Sequence, residues 1–164
     1  MTLILSGTDG LSDIDGSAAT PAIRGTDTNT GIYFPGADRI GFAEGGVQCG
    51  EFDASGNFLM NSGYGSAATA YGCRAWVNFN GTGTVAIRAS GNVSSITDGG
   101  VGIYTVNFTN SMPDVNFGAN ITLQGGNAYI ATINIRATSS VSMYSWTNAS
   151  AFYDSADVCV SIFR

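Results

Sequence analysis

The sequence contains no lysine and no histidine, and its six arginines face twelve carboxylates, leaving a formal charge of −6 over 164 residues. Binding to nucleic acid displaces counterions from phosphates with several Lys or Arg, and attraction to an acidic membrane surface needs a polybasic cluster. Neither nucleic acid nor a membrane is therefore expected as a partner. The same absences remove His-dependent triads and lysine nucleophiles from the chemistry available within the chain. Charge of either sign is scarce, at 11% of residues against ~25% in an average domain.

Cysteine is also sparse. Cys49, Cys73 and Cys159 lie far apart, without a Cys-x-x-Cys pair and without histidine to complete a metal site. They read as free, mostly buried thiols, and neither a metal nor a cofactor is expected. No apolar run approaches the length of a membrane span, and Met1 to Ser6 lacks the basic start and apolar length of a signal peptide. The expectation is a soluble protein made without an export signal of the usual kind. Helical periodicity is missing too, since no window of eleven or more residues places apolar positions at three-and-four spacing with few Gly or β-branched residues.

What the chain does have is Gly, at 23 of 164 residues, and abundant Ser, Thr and Asn; its 44% hydrophobic content recurs in β-like patterns. Disorder goes with low hydrophobicity and high net charge, so this composition predicts an ordered all-β protein with a surface of hydroxyls and amides. Its character changes near Gly72. Residues 1–71 scatter short apolar pieces between Gly, Asp, Ser, Thr and Asn, whereas residues 72–164 carry eleven of the eighteen aromatics and regular alternation.

In that second part Val77 and Phe79 share a face, as do Val85, Ile87 and Ala89, then Tyr104, Val106 and Phe108, then Tyr129, Ala131, Ile133 and Ile135, and last Val158, Val160 and Ile162. Turn clusters such as Asn80-Gly81-Thr82-Gly83 and Asp98-Gly99-Gly100 separate them. Seven or eight short strands so spaced predict an antiparallel β-sandwich, jelly-roll-like, over residues 72–164.

The first part repeats an Ile-x-Phe pair at a spacing of eight, Ile32-Tyr33-Phe34 and Ile40-Gly41-Phe42, and continues with Phe52 and Phe58-Leu59-Met60. Such short strands cannot cover their own apolar side chains. An extended trimeric β-stalk over residues 1–71 would bury Ile32, Phe34, Ile40 and Phe42 against symmetry mates, cyclic closure preventing filaments. The alternatives are strands folded back on the second part, or a flexible arm. The small, polar stretch Asn61 to Ala68 reads as a linker between the parts.

Candidate sites are few. Asp13-Ile14-Asp15-Gly16-Ser17 opens like a calcium loop, with Asp9 nearby, but lacks the closing Glu and reads as a solvated turn. Asp53-Ala54-Ser55-Gly56-Asn57 reads as a plain connector. Two carboxylates could cleave a glycosidic bond, yet Asp98, Asp114, Asp154 and Asp157 read as ordinary turn residues, so no catalytic residue is assigned. Tyr144 and Trp146 share a face, and Phe152-Tyr153-Asp154 follow in a polar loop. Aromatics beside amides and carboxylates suit a sugar, whose apolar face the ring covers while polar groups take its hydroxyls. Tyr144, Trp146, Tyr153 and Asp154 are thus the candidate receptor-binding residues. Trp76, opposite in phase to Val77 and Phe79, reads as an inter-sheet contact or part of a subunit interface.

The stretch Cys73-Arg74-Ala75-Trp76-Val77-Asn78-Phe79-Asn80-Gly81-Thr82-Gly83-Thr84-Val85-Ala86-Ile87-Arg88, with Val93 to Asp98 and Tyr104 to Thr109, resembles the C-terminal domain of tailed-bacteriophage tail-fibre proteins. Ala22 to Asp27, Thr30-Gly31-Ile32 and Ile40-Gly41-Phe42 are similar to segments of fibre shafts. The resemblance implies a homotrimeric virion protein of the tail or baseplate, assembled in the host cytoplasm beside other tail or baseplate proteins. Its C-terminal domain would adhere to a host surface polysaccharide. A decoration or baseplate protein without a receptor role is the alternative, and a polysaccharide depolymerase a more distant one.

Overall fold

The computed structural model describes residues 14–125 and 129–164, together with the backbone of Ile4–Ser6 and Gly10–Ser12. Asp9 and Asp13 lie outside the described residues. All described regular structure is β, and every described strand pairing is antiparallel. Two compact units divide the chain, Met1–Ala70 and Tyr71–Arg164.

In the first unit β1 (Ile4–Ser6) pairs with β2 (Gly10–Ser12). A six-stranded meander follows: β3 (Ile23–Arg24), β4 (Gly31–Tyr33), β5 (Ile40–Glu44), β6 (Val47–Phe52), β7 (Phe58–Met60) and β8 (Ala68–Thr69), each strand beside its chain neighbour. Gly- and Asn-rich connectors make this order possible. Between β6 and β7, Asp53 Oδ1 accepts from the N–H groups of Ser55 and Asn57 at 2.9 and 2.8 Å, and Gly56 takes a positive φ of 77°. The stretch Asn61 to Ala68 is not a linker between units. It turns β7 back into β8, where Met60 pairs with Ala68.

The register gives this sheet two unlike faces, because cross-strand partners point to the same side. On one, a row runs Tyr33, Gly41, Glu51, Leu59, Thr69. The Tyr33 ring lies directly over Gly41, where a Cβ would sit 2.5 Å from Tyr33 Cζ. Glu51 is fully buried; Arg39 Nε donates to its Oε1 at 2.5 Å and Gln48 Nε2 to its Oε2 at 2.7 Å, while Tyr33 donates to Gln48 Oε1 at 3.1 Å. The bond from Arg39 holds the Glu51 carboxyl below the usual carboxylate range, against the opposing effect of burial.

On the other face a row crosses all six strands, Ile23, Ile32, Phe42, Gly50, Met60, Ala68, beside a second row of Ile40, Phe52 and Phe58. Gly50 is buried and Ile32 and Phe42 are half-buried, while Ile23, Ile40, Phe52, Phe58 and Met60 stay accessible, Phe52 at 44% and Met60 at 48%. Of the stalk residues singled out in the sequence, Ile32, Ile40 and Phe42 lie on this face. Phe34 follows β4, where its N–H donates to Asp15 O at 2.8 Å.

The second unit pairs two four-stranded sheets. One has the order β10 (Ala86–Gly91), β9 (Cys73–Asn80), β16 (Val158–Phe163), β13 (Gly118–Leu123); the other has β11 (Val93–Asp98), β12 (Ile103–Phe108), β15 (Ser140–Thr147), β14 (Tyr129–Ala137). Alternation turns Val77 and Phe79, Val158, Val160 and Ile162 inward from the first sheet, and Tyr104, Val106, Phe108, Val141 and Met143 from the second. They form one core. Trp76 lies outside it, 45% exposed on the outer face, and the cysteines are not the buried thiols expected: Cys73 and Cys159 are exposed and Cys49 is half-buried.

Two β-bulges break the alternation expected from sequence. In β10 the register shifts between Ile87 and Ala89, so Ile87 pairs with inward Phe79 while Ala89 pairs with outward Asn78. In β14 it shifts between Ile133 and Ile135: Tyr129, Ala131 and Ile133 keep one face, and Ile135 leaves them to pair with Ser142, 61% exposed. Arg136 then sits opposite Val141 and reaches 6.0 Å from the Phe117 ring centroid.

Candidate functional site

Because β15 buries Val141, Met143 and Ser145, the residues between them, Ser142, Tyr144 and Trp146, stand on the outer face of the sandwich. Register brings them neighbours. Tyr144 pairs with Ile103 on β12 and Thr132 on β14, and Trp146 pairs with Ile130. Phe152 returns from the following loop to bridge Trp146, stacking on it with centroids 4.0 Å apart and planes 22° apart. Tyr144 meets Phe152 and Trp146 edge-on at 5.5 and 5.8 Å. A cavity of about 470 Å³ opens beside this cluster, lined by Ile130, Thr132, Trp146, Thr147 and Ser150. That volume falls within the ~300–1,000 Å³ of small-ligand sites. A second, of about 320 Å³, lies on the same sheet face, lined by Ile103, Thr105, Asn134, Ile135, Ser140 and Ser142.

The loop carrying Phe152 is held by part-buried polar bonds. Ser145 N–H donates to Gly102 O at 2.8 Å, Tyr153 N–H to Ser145 O at 3.0 Å, and the Ser145 hydroxyl to Tyr153 O. Asp154 Oδ1 accepts from Gly102 N–H at 2.7 Å and from the Tyr104 hydroxyl at 2.5 Å. Burial first, then the bond to Asp154, pushes the Tyr104 phenol well above its ordinary pKa. Gly102 is required here: its φ is +66°, and a Cβ would lie 2.5 Å from Ser145 O.

The four residues chosen from sequence are therefore not one cluster of the same kind. Tyr144 and Trp146 come together on the outer face. Tyr153 stacks instead on Tyr129, centroids 4.3 Å apart. Asp154 Oδ1 is taken by two of the sandwich's own donors and pins the loop. Three residues of the aromatic site were not among those chosen. Phe152 was visible as the aromatic before Tyr153, and Ile130 and Thr132 as the positions out of phase with Ala131 and Ile133.

The other carboxylates have protein partners as well. Asp157 lies 3.5 Å from Arg88 Nη1 and accepts from Asn78, Asp98 Oδ1 accepts from Gly100 N–H at 2.9 Å, and Asp114 pairs with Arg164 at 2.5 Å. The guanidinium of Arg164, then the N–H of Asn116, lowers the Asp114 pKa.

No protein-family model matches the chain, and no curated protein matches it in sequence. Among solved structures it is similar to the phiAB6 tailspike in complex with three-repeated oligosaccharides of Acinetobacter baumannii surface polysaccharide, at 12% identity and a TM-score of 0.47. The match covers 92% of this chain, which spans 38% of the tailspike chain.

Proposed function

We propose that this chain is a virion protein of the tail-fibre kind, in which the first unit associates with two further copies as a short stalk and the second adheres to a surface glycan. The observation that carries the reading is the division of apolar surface. The second unit closes its own core, whereas the first leaves Ile23, Ile40, Phe52, Phe58 and Met60 more than 40% exposed on one face of its sheet. Contiguous exposed apolar area of that kind marks an association surface. Three copies of one weak site multiply into useful avidity, so the head needs no deep pocket. Its outer face supplies what sugars require, aromatic rings amid hydroxyls and amides.

The test is binding of the intact, fluorescently labelled protein to a panel of bacterial cells, before and after periodate oxidation of their surface sugars. Adhesion to at least one strain, abolished by periodate, is the expected result. Adhesion that survives periodate, or none to any strain, rejects the glycan role and favours a virion protein that contacts only other virion subunits.

A further inference from the structure

We infer that the outer face of β12, β15 and β14 holds an extended, uncharged polysaccharide chain lying along β15, with an aromatic subsite at Trp146 and a hydroxyl and amide subsite at Ser142 and Asn134. This rests on the glycan-adhesion reading and specifies its ligand. Three observations lead to it. The two cavities are consecutive along the strand, meeting at the row Ile103, Tyr144, Thr132: one contains Thr132 and the other Ile103. From Ser140 to Trp146 the strand runs ~20 Å at ~3.4 Å per residue, room for several sugar rings end to end.

The chemistry changes along that line. At one end Phe152 stacks on Trp146 without lining the cavity, so it buttresses the indole, and Ile130, 52% exposed, faces the same space. At the other end Thr105, Asn134, Ser140 and Ser142 offer hydroxyls and an amide.

Cationic groups are the third point. Neither cavity is lined by arginine. The unit's four arginines are placed elsewhere: Arg88 beside Asp157, donating also to Ala156 O at 2.5 Å; Arg164 on Asp114; Arg136 over Phe117; and Arg74 on β9 of the opposite sheet. A uronate, sialate or phosphate-bearing glycan would have no counter-charge here. A net charge of −6 would repel it as well.

The experiment measures binding of the intact chain to immobilised neutral polysaccharides (dextran, mannan, galactan, laminarin) and acidic ones (polygalacturonate, alginate), by biolayer interferometry. The expected outcome is binding to at least one neutral member, changed less than about twofold between ~0.05 and ~0.5 M NaCl, since no ion pair is screened. Trp146→Ala should weaken it about tenfold or more, with partial recovery in Trp146→Phe, as loss of an aromatic platform implies. Ile130→Asp, at an already exposed position, should give the same loss without disturbing the core, and Asn120→Ala on the other sheet should not. Asn134→Ala should weaken binding of long oligosaccharides more than of short ones. Binding to acidic members alone, or neutral binding untouched by Trp146→Ala and Ile130→Asp, overturns this inference and leaves glycan adhesion standing. Binding to no polysaccharide, acidic or neutral, overturns both.

Discussion

At the scale of single residues, the aromatic face depends on a few buried polar atoms beneath it. Tyr104 is fully buried and its hydroxyl lies 2.5 Å from Asp154 Oδ1 and 2.9 Å from Gly81 O. Tyr104→Phe leaves the part-buried Asp154 carboxylate without one of its donors, and should cost about 1–3 kcal/mol. Both tryptophans belong to the second unit, so denaturant unfolding followed by tryptophan fluorescence reports this loss directly. Gly102→Ala forces a Cβ against Ser145 O at a positive φ and should destabilise by more than about 1 kcal/mol. The same substitution frees the loop that positions Phe152, so it should reduce cell adhesion even where the fold survives. Met143→Ala empties part of the core between the sheets, and should cost about 2–5 kcal/mol in the same assay.

At the scale of elements, a strand is legible in sequence as long as its period of two is unbroken. Val77 with Phe79, Tyr104 with Val106 and Phe108, and Val158 with Val160 and Ile162 all turn inward as their spacing predicts. Ile135 and Ala89 do not, because a bulge adds one residue to a strand and no residue type marks where. The shared face of Tyr144 and Trp146 was legible for the same reason, being local to one strand. Alternation places Ile130 and Thr132 on the outer face of their own strand but not beside Tyr144 and Trp146, since register against another strand decides which residues join them. Sequence shows the Asp154 carboxylate but not the Tyr104 hydroxyl fifty residues away that donates to its Oδ1.

The first sheet offers a pH test at this scale. The Glu51 carboxyl is held below its ordinary value of 4.5 by Arg39. A depressed carboxylate contributes stability that is present above the unfolded value and lost as pH falls through the lower folded one. Amide exchange in β5 and β6 should therefore accelerate as pH falls below about 4.5, after correction for intrinsic rates. Glu51→Gln should exchange faster at neutral pH and lose most of that dependence. A variant as pH-sensitive as the parent chain would show that another group is responsible.

At the scale of the whole molecule, the two units divide the work of burying apolar surface. Covering a side chain such as Phe52, Phe58 or Met60, now left 41–48% exposed, contributes on the order of 1 kcal/mol each. In the proposed stalk, other copies of the first unit supply that cover. A single charge placed in the middle of the face, Phe52→Asp, should abolish association while leaving the tryptophan-reported unfolding of the second unit unchanged within about 0.5 kcal/mol. The most direct measurement is the mass of the intact chain in dilute buffer by light scattering. A trimeric stalk gives three times the 16.9 kDa of one chain, falling to one chain in Phe52→Asp; a parent protein that is already monomeric would contradict it.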